Sequence, residues 1–154
     1  MDVFIYELRR ISDNTLLSYG TKDDNVLQAD QAVVPLAYPI GEGQTAAEVR
    51  AAAISDYAAR FVLSRDKPSI TADGADEATV TITTNLPVSS ISLTFTLLNP
   101  QTRQPIAAPA VQVVSIASGT GSQAFTADNP CLILIEPTDR TQYFGSVIVE
   151  AKAP

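Results

Sequence analysis

Histidine is absent from the 154 residues. With it go the commonest general base, the commonest zinc ligand and every Ser-His or Cys-His nucleophile pair. Tryptophan is absent too, and aromatic residues total only 6%, which argues against the carboxylate-pair chemistry of glycoside hydrolysis on an aromatic sugar platform. No Gly-x-Ser-x-Gly nucleophile motif occurs. Cysteine occurs once, at Cys131, so no disulfide can form within the chain and stability rests on packing. Apolar runs are short, Cys131 to Ile135 being typical, and none nears the ~18 residues a membrane helix needs. Basic residues number 10 against 17 acidic ones, for a net charge of -7. Phosphate binding needs clustered Lys and Arg. The nearest candidates, Arg9-Arg10 and the stretch from Arg60 to Lys67, are brief and have acidic neighbours. These absences point away from enzyme, cofactor, nucleic-acid and membrane roles.

The start, Met1-Asp2-Val3-Phe4-Ile5-Tyr6-Glu7, lacks the basic, apolar and small-residue sections of a secretory signal. The expectation is an intact translation product made in the cytoplasm.

What is present changes character near Pro68. Charges are dense before it; beyond it the basic residues are Arg103, Arg140 and Lys152. A boundary is placed in Ser64-Arg65-Asp66-Lys67-Pro68, giving a lobe of residues 1–67 and a domain of residues 68–154. In the lobe, Val3 to Arg10 and Leu16 to Tyr19 flank the turn signal Ser12-Asp13-Asn14 and predict a hairpin. The prolines of Val33-Val34-Pro35-Leu36-Ala37-Tyr38-Pro39 predict an edge segment or arm. Thr45 and Glu48 have capping-box spacing. Ala47, Ala51, Ile54, Ala58, Phe61 and Val62 recur at helical spacing and predict one helix with one apolar face.

The rest alternates at period two. Ala78, Val80 and Ile82 interleave with threonines, and so do Ile91, Leu93, Phe95 and Leu97 with Ser and Thr. Val111 to Ile116, Gln123 to Thr126, Cys131 to Ile135 and Tyr143 to Ala151 complete the set, with turn signals between them. About seven short strands without a second helix predict an antiparallel β-sandwich. The fold class expected is mainly β: a sandwich preceded by a small α+β lobe of hairpin, extended arm and helix.

The run Ile70-Thr71-Ala72-Asp73-Gly74-Ala75-Asp76-Glu77-Ala78-Thr79-Val80-Thr81-Ile82 resembles the opening of bacterial immunoglobulin-like domains of the invasin and intimin type. Asn85-Leu86-Pro87-Val88 followed by Leu93-Thr94-Phe95 is similar to their next stretch. The resemblance spans Ile70 to Phe95, and the second half lacks the family's closing glycine pattern. It implies an immunoglobulin-like sandwich. Such modules occur in exported adhesins, usually repeated, and as single copies on tailed-phage virion proteins. One copy without an export signal implies the second setting. The first 67 residues resemble no named family.

Other motifs have plain readings. Gly41-Glu42-Gly43-Gln44-Thr45-Ala46 loosely fits a dinucleotide loop, with Asp66 at the distance of a ribose-binding acid. Glu42 would face a pyrophosphate, however, and no further βαβ unit follows, so the run reads as a glycine loop entering a capped helix. Asp73, Asp76 and Glu77, or Asp23-Asp24, lack the spacing of a calcium loop and read as solvated turns. Gly119-Thr120-Gly121-Ser122 reads as a loop, and Cys131 as a small buried hydrophobe. No catalytic, cofactor or metal residue is expected.

The expected role is a non-enzymatic structural protein of a tailed-phage virion, a capsid decoration or cement protein or a tail accessory. Its partners are other capsid or tail proteins and copies of itself. The interface is expected at Ile54, Phe61, Val62, Val33, Leu36 and Tyr38, with Gln31 to Ile40 as an arm. Loops such as Gln101 to Ala108 and Thr138 to Gln142 would touch a host surface weakly. The alternative is a cell-surface or carbohydrate-binding adhesion module, for which Tyr143-Phe144 is the one aromatic candidate.

Overall fold

The computed structural model describes residues 1–154. Eleven strands and one helix make the chain mainly β, and the helix is not long and apolar enough to cross a membrane. Two compact units are present: Met1–Arg60 with Asp139–Phe144, and Phe61–Thr138 with Gly145–Pro154.

In the first unit, β1 (Asp2–Arg10), β2 (Leu16–Gly20) and β3 (Gln31–Pro39) form an antiparallel sheet with β1 central. The hairpin turn places Asn14 at φ 59, a conformation asparagine tolerates, and the Asp13 carboxylate accepts the Thr15 N–H at 3.0 Å. β3 pairs with β1 over all nine residues, from Asp2 opposite Pro39 to Arg10 opposite Gln31. The expected arm is therefore an edge strand of this chain's own sheet. Nine ladder positions hold it, and its prolines fall on the edge, where a missing N–H is tolerated.

Helix α1 (Ala46–Ala58) starts where the sequence predicts. The Thr45 hydroxyl accepts the Glu48 N–H at 3.2 Å, and a Glu48 carboxylate oxygen accepts the Thr45 N–H at 2.8 Å. It ends earlier than predicted. Its buried face is Val49, Ala53 and Tyr57, not the Ala47–Ala51–Ile54–Ala58 stripe, and Phe61 and Val62 lie beyond it. Alanine marks helix propensity on any face, so the larger Val49 and Tyr57 decide which side turns inward. They sit one and three turns in, at the i, i+4, i+8 spacing. Ile5, Leu16, Ala53 and Tyr57 form the core, with Tyr19, Leu36, Tyr38 and Ile54 packed against it.

The second unit has two sheets. One runs β5 (Ser69–Thr71), β11 (Val147–Lys152), β10 (Cys131–Pro137), β7 (Ser90–Leu98), β8 (Ala110–Ser115); the other runs β4 (Val62–Arg65), β6 (Ala78–Thr83), β9 (Thr120–Phe125). All pairings are antiparallel except β5 with β11. Val62–Arg65 joins this unit as a strand because it pairs with Val80–Thr83, a partner that helical spacing cannot reveal. Val80, Ile82, Leu93, Ile133, Ile135 and Val149 are fully buried. Each such side chain stabilises the fold by about 1.5–3 kcal/mol relative to exposure. Rings from the two sheets meet edge-on, Phe95 and Phe125 at 5.3 Å.

The last predicted strand is shorter than expected. It begins at Val147, and Tyr143 and Phe144 belong to the first unit. The intervening Gly145 has φ 148, which breaks the run of strand conformation.

Candidate interaction surface

Strand β1 carries apolar residues on both faces. Val3, Ile5 and Glu7 point inward and are buried. Phe4, Tyr6 and Leu8 take the opposite side by the two-residue alternation of a strand. Their cross-strand partners on β3 are Ala37, Pro35 and Val33, and directly opposed residues share a face. On β1 and β3 the outer face is thus six uncharged residues, bounded by Asp2 and Arg10, and β2 adds Gly20 and Ser18 opposite Tyr6 and Leu8. The helix packs on the other side, against Ile5, Leu36 and Tyr38. Phe4 is 36% exposed, Pro35 and Ala37 are exposed, and Tyr6, Leu8 and Val33 are half-buried. The Phe4 and Tyr6 rings lie 6.1 Å apart. A contiguous uncovered apolar face on a sheet is the kind of patch that marks an interaction site.

Of the six interface residues predicted from sequence, only Val33 lies on this face. Leu36 and Tyr38 are on the helix side, because a strand sends residues of opposite parity to opposite faces. Ile54 packs beside them. Phe61 is buried and Val62 exposed, and both belong to the second unit. The six therefore do not form one surface. Phe4, Tyr6 and Leu8 were legible as strand residues; what could have found the face is that β1 lacks a polar alternation.

Behind the face lies a charged network. Glu7, 5% exposed, accepts the Tyr57 hydroxyl and both a 3.1 Å and a 2.9 Å hydrogen bond from Arg9. Arg9 also donates to the carbonyls of Asn14 at 2.9 Å and Thr141 at 2.6 Å. Arg60 lies 4.7 Å from the Tyr57 ring centroid, close enough for a cation–π contact. Burial, followed by the Glu7 carboxylate, pushes the Tyr57 hydroxyl well above the ordinary tyrosine range.

The turn acids Asp73 and Asp76 are engaged locally. The Asp73 carboxylate accepts the N–H groups of Ala75 at 2.9 Å and Asp76 at 2.8 Å. Asp76 accepts Lys67 Nζ at 2.8 Å and the Thr71 N–H at 2.7 Å. These acids lock the turn before β6, and Gly74, at φ 74, closes it by donating to the Ala127 carbonyl at 2.9 Å. The turn is tied by its own side chains and is not merely solvated. Backbone donors hold the Asp73 carboxyl below its usual range, and Lys67 followed by Thr71 does the same for Asp76. The N-terminus of α1 already holds the Glu48 carboxylate, which opposes an anion such as a pyrophosphate there. Cys131 is buried, and desolvation pushes its thiol upward, away from thiolate reactivity. Of the pair Tyr143-Phe144, Tyr143 is buried and Phe144 is exposed, meeting Tyr19 edge-on at 89° and 5.8 Å, so the pair offers one exposed ring and no flat platform.

A surface depression of about 340 Å³ is lined by Tyr38, Pro39, Gln44, Val49, Ala52, Ala53 and Asp56. Among its side chains only Asp56 is charged. Comparison with protein-family models, with curated proteins and with solved structures found no match to this chain.

Proposed function

We propose that the chain is a non-enzymatic structural protein of a tailed-phage virion, foremost a capsid decoration or cement protein and secondly a tail accessory. The observation that carries this reading is the uncovered apolar face of Phe4, Tyr6, Leu8, Val33, Pro35 and Ala37. Such a face is stable in water only at a cost that burial against a partner removes. The first unit anchors the protein to the particle through it. The prolines at 35 and 39 remove N–H donors from β3, which favours attachment through the face over strand addition at that edge.

In this reading the second unit, Phe61–Thr138 with Gly145–Pro154, which takes in most of residues 68–154, is an immunoglobulin-like β-sandwich that projects from the particle. Support comes from the resemblance over Ile70 to Phe95, from the two antiparallel-dominated sheets and from the Phe95–Phe125 contact between them. The non-enzymatic reading draws on the lack of histidine and on the engagement of Glu7, Asp73 and Asp76 by hydrogen-bond donors. The adhesion alternative has weaker support, since Tyr143 is buried and leaves Phe144 as the one exposed ring of that pair.

Immunogold electron microscopy on lysates of the source culture tests the proposal. Gold on particle heads supports decoration, and gold on tails supports the tail accessory. Gold on host envelopes with particles unlabelled overturns the virion reading.

A further inference from the structure

Among the chain's sheet edges β8 alone combines exposed valines with freedom from charge and proline; β2 and β9 also lack charge and proline but expose no large hydrophobic residue. β5 has three residues, β4 has four and ends in Arg65, and β3 carries two prolines. Natural edges are blunted by shortness, charge or proline of this kind. β8, Ala110-Val111-Gln112-Val113-Val114-Ser115, has six residues and contains neither charge nor proline. Val111 and Val113 are 57% and 58% exposed. They stand on one face, opposite Thr94 and Ser92 of β7.

Backbone parity shows which groups the edge offers. The Ile116 N–H donates to the Ser89 carbonyl at 2.9 Å, in register with the β7–β8 ladder. Even-numbered β8 residues therefore turn their N–H and C=O towards β7, and Val111, Val113 and Ser115 turn theirs to the free edge. The Gln112 side chain reaches over that edge to donate to the Val113 carbonyl at 3.3 Å, as expected for a carbonyl without a strand partner. The carbonyl of Ser115 faces Gly121 of β9, so the open stretch is centred on Val111–Val113.

We propose that this edge pairs antiparallel with the same edge of a second copy, about a two-fold axis through Gln112. The register follows from parity. Val111 of one copy opposes Val113 of the other and the reverse, both as hydrogen-bonded pairs, giving four new backbone hydrogen bonds. Gln112 opposes its own counterpart. Because Val-Gln-Val is symmetric about its centre, this axis brings the four valines together on one face, and an isologous contact requires such self-complementarity. Charge selects the same occupant. A chain of net charge -7 meets its own copy with least repulsion at an uncharged seam, whereas a basic partner would gain nothing there. A six-residue strand pair buries far less than the ~1,200 Å² of a stable interface. The pair is therefore weak in free solution and strengthened when copies are held side by side. It does not depend on the virion reading.

Sedimentation velocity of the full chain over a concentration series tests it. The wild type is expected to shift towards dimer mass with concentration. Val113→Lys, on an exposed position, is expected to weaken association by about tenfold or more while its melting curve is unchanged, as gatekeeper lysines do. A covalent readout is independent. Gln112→Cys supplies a thiol at the axis, where opposed Cα atoms lie about 4.5 Å apart in a non-hydrogen-bonded pair, within disulfide range. It is expected to give a disulfide-linked dimer under mild oxidation, and Gln112→Cys with Val113→Lys is not. A wild type that stays monomeric with Gln112→Cys uncross-linked overturns the proposal. So does association that Val113→Lys leaves unchanged.

Discussion

The Tyr57 hydroxyl on α1 donates to the buried Glu7 carboxylate in the central strand of the first sheet. The bond joins residues fifty positions apart and fixes how the helix lies on that sheet. Arg9 neutralises the carboxylate and extends the network to the hairpin turn and to Thr141. Removing the hydroxyl leaves a buried acceptor short of a donor, which costs about 1–3 kcal/mol. Tyr57→Phe is therefore expected to lower unfolding free energy by that order in urea titration. Glu7→Ala, which strands Arg9 and Tyr57 together, is expected to cost more. Equal stability of Tyr57→Phe and wild type would mean the bond carries no weight.

The same network predicts alkaline behaviour. The Tyr57 ionisation is raised in the folded state, so the unfolded chain ionises first. Its contribution is complete below the ordinary tyrosine pKa of about 10 and is lost as pH rises above it. Melting temperature is expected to fall above about pH 10, and less steeply in Tyr57→Phe after correction for its lower starting stability.

At the acid end the turn before β6 contributes, as do Asp13 and Glu48, whose carboxyls are likewise held below their usual range by backbone donors. Asp73 and Asp76 are held below their usual range by backbone donors and Lys67. Depressed carboxylates stabilise above their unfolded pKa of about 3.9, and the contribution fades as pH falls through the folded value. Melting temperature is expected to drop from about pH 4 downward, with a shallower drop in Asp76→Asn. Parallel curves for the two proteins would remove Asp76 from the account.

Gly121 answers to space. A Cβ there would run into the Ser115 carbonyl and lie 2.9 Å from Ile116 Cδ1 and 3.0 Å from Val114 Cγ1. Gly121→Ala is expected to destabilise by about 1–3 kcal/mol, the usual cost of overpacking. Guanidinium unfolding of the two proteins measures this, and a variant as stable as wild type would show that β8 and β9 can separate freely.

How much of this was legible depended on range. The hairpin, the capped helix start and the alternations of β6 and β7 are written in neighbouring residues, and they appear at Asn14, at Thr45 with Glu48, and at Val80, Ile82 and Leu93. What failed needed distant partners. Val62 fits a helical stripe until its pairing with Thr83 is known. Tyr143 fits a strand until Gly145 interrupts it. Leu36 and Tyr38 look like an exposed arm until β3 pairs with β1 and parity turns them inward. The outer face went unseen for the same reason: Phe4 and Val33 become one surface only through that pairing.

The most direct test is cosedimentation of the purified chain with tailed-phage particles from the source culture, comparing wild type with Phe4→Asp/Leu8→Asp. Both substitutions lie on the outer face and leave Ile5, Ala53 and Tyr57 in place, so the variant is expected to melt near wild type. Wild type is expected to pellet with particles and the variant to stay in the supernatant. Equal pelleting of both, or pelleting of neither, would contradict attachment through the first sheet.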